Sequence, residues 1–335
     1  MKSGNKIDIA VLGDGGWGTA LGIVLINKGY SVTVWGAFKD YIARLNKTRF
    51  NKKFLPGIRI PKGIKFTADL AEAVSGKQII ILAVPSLYLR QVLNNLKVCG
   101  FPRDALYLSV IKGIETGSLK RMSEVIREEL GNIKLAVLSG PTIAHEVACG
   151  IPTTVVVASH DSRLREYLQS VFMTERLRVY TNDDVTGVEL GGSLKNVIAI
   201  ACGISDGLGF GTNTKAALLS RGLVEISRLG VSMGAKAKTF SGISGLGDLV
   251  TTCISQYSRN RFVGEEIGKG KTIKEIKSHM QMVAEGITTA KSAHGLSLRY
   301  KVDMPIIREV YRVIYGNKSA KLAVKDLMTR ERKPE

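Results

Sequence analysis

The stretch Gly13-Asp-Gly-Gly-Trp-Gly18 decides the architecture of the N-terminal half. Before it runs Lys6-Ile-Asp-Ile-Ala-Val-Leu12, a short β-branched run, and after it Thr19 to Lys28 carries apolar residues at helical spacing. Glycines at 13, 15 and 18 between a strand and a helix satisfy the G-x-G-x-x-G pattern of a dinucleotide-binding turn. Gly13 permits the tight turn, Gly15 lets a pyrophosphate approach the backbone, and Gly18 lets helix and strand pack closely. The N–H groups that open the helix then face the anion. The pattern alone is weak; near the start of the chain and in a strand–loop–helix frame it is specific.

Further strand-like runs are Ser31-Val-Thr-Val-Trp35, Gln78 to Val84 (stopped by Pro85), Ala105 to Val110, Ile133 to Leu138 and Thr153 to Ala158. Helical patterns lie at Leu87–Leu96, Leu119–Leu130 and Ser162–Phe172. Nearly continuous apolar strands alternating with helices predict a mainly parallel sheet covered on both faces. From about Asp183 the strand-like runs stop. Helical patterns follow at Gly187–Leu208, Asn213–Leu229, Arg261–Lys269, Ile273–Lys277, Thr288–Leu298, Met304–Tyr315 and Ser319–Leu327. The expectation is an α/β chain: an N-terminal Rossmann-type, doubly wound dinucleotide-binding domain over 1–188, and a C-terminal all-α substrate and catalytic domain over 189–335. The charged residues from Thr329 onward are expected to fray.

A chain of 335 residues suits two domains of roughly 100–200 residues each. It buries enough apolar surface to need no disulfide or metal. The four cysteines, Cys99, Cys149, Cys202 and Cys253, are far apart and form no metal-ligand spacing, so no metal site is expected and a reducing, cytoplasmic compartment is. The longest clean apolar run, Ile79 to Val84, falls far short of the about 20 residues that cross a bilayer, so no membrane insertion is expected. In the opening MKSGNKIDIAV, Asp8 interrupts the apolar stretch, which argues against a secretory signal. The net charge of +19 raises nucleic-acid binding, but the basic residues are dispersed and no helix-turn-helix, zinc-finger or RNP-like signature occurs. A basic surface that attracts small anions is the expectation, with no nucleic-acid partner.

A dinucleotide fold expects an acid about 20 residues after the glycines, at the end of the second strand, to hold the ribose hydroxyls. That strand ends Val34-Trp35-Gly36-Ala37-Phe38-Lys39, and the nearest carboxylate is Asp40. Lys39, Arg44 and Arg49 are cations able to meet a 2′-phosphate, none at the expected point, so NAD and NADP stay open. Lys112 follows a strand where ligands sit in open α/β sheets, and Gly140 and Thr142 follow the next strand in the same way. For each, an ordinary surface residue or turn is the alternative. Lys195 and Asn196 sit within the apolar, glycine-rich Val188–Val197. Lysine is rarely buried without a task, because desolvation lowers the pKa of an ammonium, and a lysine near neutrality can pass a proton to or from an oxygen. Gly245-Leu-Gly-Asp248 adds a carboxylate, while Ser258, Arg259 and Asn260 combine donors suited to a phosphate. A solvated helix start is the alternative for Arg259 and Arg261.

Together these segments resemble the soluble NAD(P)-dependent glycerol-3-phosphate dehydrogenase family of the bacterial biosynthetic type, from Ile9 to about Val324. The markers are Gly13–Leu21, Lys112-Gly-Ile-Glu115, Ser139-Gly-Pro-Thr142, Tyr180–Val185, Val188–Asn196, Asn213–Ala217, Gly245–Asp248, Ser258-Arg-Asn260 and Glu285-Gly286. The resemblance implies reduction of dihydroxyacetone phosphate to sn-glycerol 3-phosphate for phospholipid synthesis, with Lys195 as proton donor and, in reverse, acceptor. It implies that Lys112, Gly140, Thr142, Lys195, Asp248, Ser258, Arg259 and Asn260 line the substrate pocket. Gly16, Trp17, Lys112, Ala144, Arg259, Val283 and Glu285 would touch the cofactor beside Gly13, Gly15 and Gly18. A homodimer is expected.

Three positions depart from the family pattern. Gly16 stands where serine is frequent, His145 where lysine is usual, and Ala37 where arginine is common, which weakens an NADP preference. Another two-domain, lysine-using dehydrogenase of the β-hydroxyacid or ketopantoate type is the competing enzyme reading; Gly245–Asp248 and Ser258–Asn260 argue against it. A non-catalytic NAD-binding protein would not need Lys195, Lys112 and Asp248 together.

Overall fold

The computed structural model describes residues 7–280 and 282–332. The first six residues, where the leader argument and the expected start of the first strand fall, lie outside the described residues. So do Gln281 and the last three residues of the charged tail. The chain divides into two compact units, Met1–Lys112 with Arg121–Val188, and Gly113–Lys120 with Glu189–Glu335. Gly113–Lys120 therefore groups with the helical half rather than with the sheet. The reason is local bonding: the Ser193 hydroxyl donates to the Gly113 carbonyl (3.2 Å) and the Ser292 hydroxyl to the Ile114 carbonyl (3.1 Å).

The first unit is built on a sheet of eight strands: β1 (Asp8–Leu12), β2 (Ser31–Trp35), β3 (Lys65–Thr67), β4 (Ile79–Leu82), β5 (Leu106–Ser109), β6 (Lys134–Ser139), β7 (Thr153–Ala158) and β8 (Leu177–Asn182). Its order is β3-β2-β1-β4-β5-β6-β7-β8, and every neighbouring pair is parallel except β6 with β7. The chain reverses its winding between β1 and β4, the switch point outside which open α/β sheets bind ligands. Successive side chains leave a strand on opposite faces. Ile79 and Ile81 thus join one apolar layer, with Leu21 and Leu25 of α1 (Gly16–Asn27), Ile42 and Leu45 of α2 (Lys39–Thr48) and Leu168 of the helix Ser162–Phe172. Ile80 and Leu82 join the other, with Ala73 of α3 (Leu70–Val74), Leu93 of α4 (Leu89–Cys99) and Ile126 of α5 (Met122–Leu130). A short α6 (Ala144–Ala148) precedes β7, and Ser162–Phe172 is α7.

The second unit is helical. Its centre is α8 (Val185–Gly207), which belongs to this unit from Glu189 onward; α9 (Thr212–Ser232), α10 (Ala237–Phe240), α11 (Asp248–Ile254), α12 (Arg259–Gly268), α13 (Ile273–His279), α14 (Glu285–Arg299), α15 (Pro305–Tyr315) and α16 (Ala320–Met328) follow. A search for clean apolar runs understates one segment, in which Glu189 and Lys195 interrupt an otherwise apolar helix. At 23 residues and a mean hydropathy of 1.2, α8 has the length and composition of a span, but that window is 100% buried in the fold. Helices apolar all round are buried ones, and α8 forms the core with Ile226, Val263, Ile287 and Ile307.

Backbone contact between α8 and α12 is unusually close. Gly203 and Gly207 on α8 oppose Gly264 and Gly268 on α12, each four residues apart and so on one helix face. A methyl group on Gly264 would run into the Ile200 carbonyl, and one on Gly203 into the Arg261 carbonyl. The four glycines therefore let two helices meet main chain to main chain.

Helix α15 shows how a buried charge is used. Its N-cap residue, Met304, has no side-chain acceptor, and Glu225 of α9 takes over. The Glu225 carboxylate accepts from the backbone N–H groups of Ile306 (2.8 Å) and Ile307 (3.2 Å). Burial pushes the Glu225 carboxyl up to about 7, against the pull of those two N–H groups. Between the unfolded value of about 4.5 and pH 7 the folded chain holds a proton that the unfolded chain has released. The stability this group contributes is thus fully present below about pH 4.5 and lost as pH rises past 7, a difference of about 3 kcal/mol at most. Glu225→Gln keeps the acceptor oxygen without titrating. Denaturant melts across this range should show the wild type losing stability relative to the variant as pH rises; parallel profiles would contradict the assignment.

Candidate active site

The glycine loop leaves β1 through Gly13, at φ +131, where a Cβ would come within 2.6 Å of the Ala83 carbonyl oxygen on the strand-β4 side. Gly15 caps α1, and nothing lies within 4 Å of where its Cβ would be. That open cradle beside the N-terminus of a 12-residue helix fits the pyrophosphate of a dinucleotide. Gly18 is required by the chain itself, since a Cβ there would strike the Gly13 carbonyl. Gly16 is held against the segment after α2: a Cβ would lie 2.5 Å from the Phe54 carbonyl oxygen and 3.5 Å from the Ala144 Cβ. This explains the absence of serine at 16. Trp17 packs at the margin of the sheet's apolar layer.

Sequence reasoning missed the residue that fastens this loop. Asn51, fully buried, donates from Nδ2 to the Asp14 carbonyl and to Thr19 Oγ1, both at 2.8 Å. Its Oδ1 accepts from the Tyr41 hydroxyl (2.7 Å) and the Phe54 N–H (3.1 Å). An Asn in a polar, lysine-rich stretch carried no signal; only its neighbours in space give it a task.

Lys112, three residues past β5, donates from Nζ to the Gly140 carbonyl (2.7 Å) and to Thr142 Oγ1 (3.0 Å). Gly140 sits at φ +141, at the end of β6. The structure thus brings Lys112, Gly140 and Thr142 into one cluster at the carboxyl ends of β5 and β6.

In the second unit Lys195 lies on α8, 5% exposed. Its ammonium is bonded to the fully buried Asp248, the first residue of α11, and to Thr252 Oγ1 one turn on. Thr252 itself donates to the Asp248 carbonyl (2.7 Å), so the three form a closed arrangement. The turn Ile243–Gly247 before Asp248 comes up against α8 at Gly191, where a Cβ would be 2.7 Å from the Ser244 carbonyl oxygen. Glycines at these places are what let the carboxylate reach the lysine.

Next to Lys195, the Asn196 amide oxygen accepts from Asn260 Nδ2 (3.0 Å), and Asn260 Oδ1 accepts from the Gly286 N–H (2.9 Å). Asn260 therefore spends its oxygen and one N–H on tying α8, α12 and α14 together. Ser258 caps α12, its oxygen accepting from the Arg261 N–H (3.2 Å). The two arginines part company. Arg261 is fixed to Asp206 (2.6 Å), which also holds Lys215 (2.7 Å). Arg259 donates to the Val283 carbonyl (2.8 Å) and is exposed. The cationic surface at the start of α12 is Arg259. Among the described residues no cluster of His, Cys, Asp or Glu could hold a metal ion.

Comparison with known proteins places this geometry in context. A family model described as NAD-dependent glycerol-3-phosphate dehydrogenase N-terminus matches residues 8–165, and one described as the C-terminus of the same enzyme matches residues 184–325. The glycerol-3-phosphate dehydrogenase [NAD(P)+] of Prosthecochloris aestuarii is 49% identical over 331 residues, 98% of this chain and 99% of that protein. The crystal structure of glycerol-3-phosphate dehydrogenase from Coxiella burnetii superposes with a TM-score of 0.93 at 38% identity, covering 97% of this chain and 99% of that one. The Saccharomyces cerevisiae enzyme superposes at 0.81 with 29% identity, covering 97% and 100%.

Proposed function

The chain belongs to the NAD-dependent glycerol-3-phosphate dehydrogenase family, and we infer from this premise that it interconverts dihydroxyacetone phosphate and sn-glycerol 3-phosphate with NAD(H) or NADP(H). The observation that carries the chemistry is the buried Lys195–Asp248–Thr252 arrangement. When bound, the nicotinamide cofactor supplies the hydride chemistry at substrate C2. The chain's own residues do the rest. Lys195 hydrogen-bonds the C2 oxygen from Nζ and gives it a proton as negative charge develops there; in the oxidation it takes that proton back. Asp248 and Thr252 fix the ammonium, so its direction is set before substrate arrives. Arg259, with the Ser258 hydroxyl and the remaining Asn260 N–H, takes the substrate phosphate. Lys112, steadied by Gly140 and Thr142, adds positive potential for the anionic ligands.

Balance at the reacting atoms is complete: a hydride and a proton add across the C2 carbonyl to give the secondary alcohol. The product is a glycerophospholipid precursor, so the reading puts the enzyme in phospholipid synthesis; a cytoplasmic homodimer is the expectation that goes with it. Contact with Cys202 and burial hold the Cys253 thiol well above its ordinary value, which leaves it unreactive.

The test follows cofactor oxidation on adding dihydroxyacetone phosphate, with NADH and NADPH in parallel, against phosphate-free keto acids. Turnover only with the phosphorylated substrate is expected; turnover only with the keto acids would overturn the reading. In the same assay Arg259→Ala should raise KM for dihydroxyacetone phosphate about 10- to 100-fold, the loss of a charged hydrogen bond, with kcat changed far less. An unchanged KM would put the phosphate site elsewhere.

A further inference from the structure

The end of β2 offers no acid for a ribose: Gly36 and the exposed Ala37 and Phe38 follow Trp35 directly, and Asp40 is exposed on α2. The glycine loop comes to the same place. Its Gly13 N–H donates to the Trp35 carbonyl (2.9 Å), and this sets Asp14 beside residue 36. The contact is close enough that a Cβ on Gly36 would lie 2.6 Å from both Cγ and Oδ2 of Asp14. A side chain at 36 would push that carboxylate out of this position.

We propose that Asp14, reaching across Gly36 from the glycine loop, takes the part of the missing acid at the end of β2, accepts hydrogen bonds from the adenosine ribose hydroxyls, and makes the enzyme prefer NAD(H) to NADP(H). This rests on the dehydrogenase reading above and names the residue that selects its cofactor. A second observation supports it independently: Asp14 Oδ2 is buried and without a hydrogen-bond partner among the described residues. Leaving a buried carboxylate oxygen unmet is costly, and donors are what it lacks. A ribose diol brings two O–H donors. A 2′-phosphate brings no such donor at neutral pH and adds like charge beside the carboxylate. Burial pushes the Asp14 carboxyl up, while its own backbone N–H and, less strongly, the nearby Lys53 pull it down; a hydroxyl donor would favour the charged form further. The absence of a cation at Ala37 acts in the same direction, so the two features are consistent.

The experiment measures binding directly. Titration calorimetry with ADP-ribose and with 2′-phospho-ADP-ribose, on the wild type, Asp14→Ala and Asp40→Ala, separates selectivity from turnover. The wild type should bind ADP-ribose about 10- to 100-fold more tightly than its 2′-phosphate, the scale of a charged hydrogen bond. Asp14→Ala should shrink that ratio about tenfold or more, and Asp40→Ala should leave it unchanged. The ratio of kcat/KM for NADH over NADPH should move in step. Equal losses for both ligands in Asp14→Ala would reduce Asp14 to a structural residue and overturn the proposal, as would a shift caused by Asp40→Ala instead. Failure of the wild type to turn over dihydroxyacetone phosphate with either cofactor would strike the dehydrogenase reading, whereas turnover with unaltered selectivity in Asp14→Ala strikes this proposal alone.

Discussion

Lys195→Ala should lower kcat for dihydroxyacetone phosphate reduction by at least about 10²-fold, the lower range for loss of an acid–base group. Two features set that loss. The lysine is 5% exposed, so no bulk water replaces its proton transfer readily, and its ammonium direction is set by Asp248 and Thr252. The truncation also leaves Asp248 buried without its cation, which costs about 3–5 kcal/mol in stability. Lys195→Arg separates the two effects. A guanidinium can still pair with Asp248 but does not release a proton, so this variant should keep more stability while remaining catalytically poor. Turnover and thermal melts on both variants, with ADP-ribose binding as a check that the first unit is intact, make the test. Near-normal kcat in Lys195→Ala would remove the lysine from the proton path.

Gly264→Ala is expected to be among the most damaging single-methyl changes in the second unit. The added carbon meets the Ile200 carbonyl, a backbone atom of a fully buried helix, so α8 and α12 have to part. Overpacking of this kind costs about 1–3 kcal/mol. Parting the helices also strains the bond between Asn196 and Asn260, and a buried amide left unmet adds about 1–3 kcal/mol. A total of about 3 kcal/mol would lower Tm by about 6–12 °C for a unit of this size. Activity should fall too, because the same helices carry Lys195 and Arg259. An unaltered Tm would show that the crossing has slack.

Much of this architecture was legible from residue patterns, and the gaps have physical causes. The glycine loop declared itself because its three glycines do different jobs at fixed spacing. Lys195 stood out because lysine inside an apolar helix is rare. The short edge strands β3 and β8 did not: β3 has three residues, and in β8 only Leu177 and Val179 are buried, so the apolar signal is thin. The antiparallel step from β6 to β7 leaves no mark in composition, since strand direction is a matter of connection. Helix α2 buries only Ile42 and Leu45 and resembles a polar loop in its composition. At the site, Asn260 reads in the sequence only as a phosphate donor; its second task, tying helices together through Asn196 and Gly286, depends on partners 64 and 26 residues away, out of reach of any local pattern. Asp14 escaped for the opposite reason. The dinucleotide pattern expects its acid at the end of β2, and the fold brings one there from the loop after β1.

The burial of α8 has a consequence for how the protein is made. Its last residue leaves the ribosome about 60 residues ahead of Gly268, the last glycine of the α12 face that covers it. At about 5–20 residues per second, that gap lasts about 3–12 s. For those seconds a helix with the hydropathy of a bilayer span is in water without its native cover. Newly made chains are therefore most exposed to chaperones, and to mistaken capture by membranes, through this one segment.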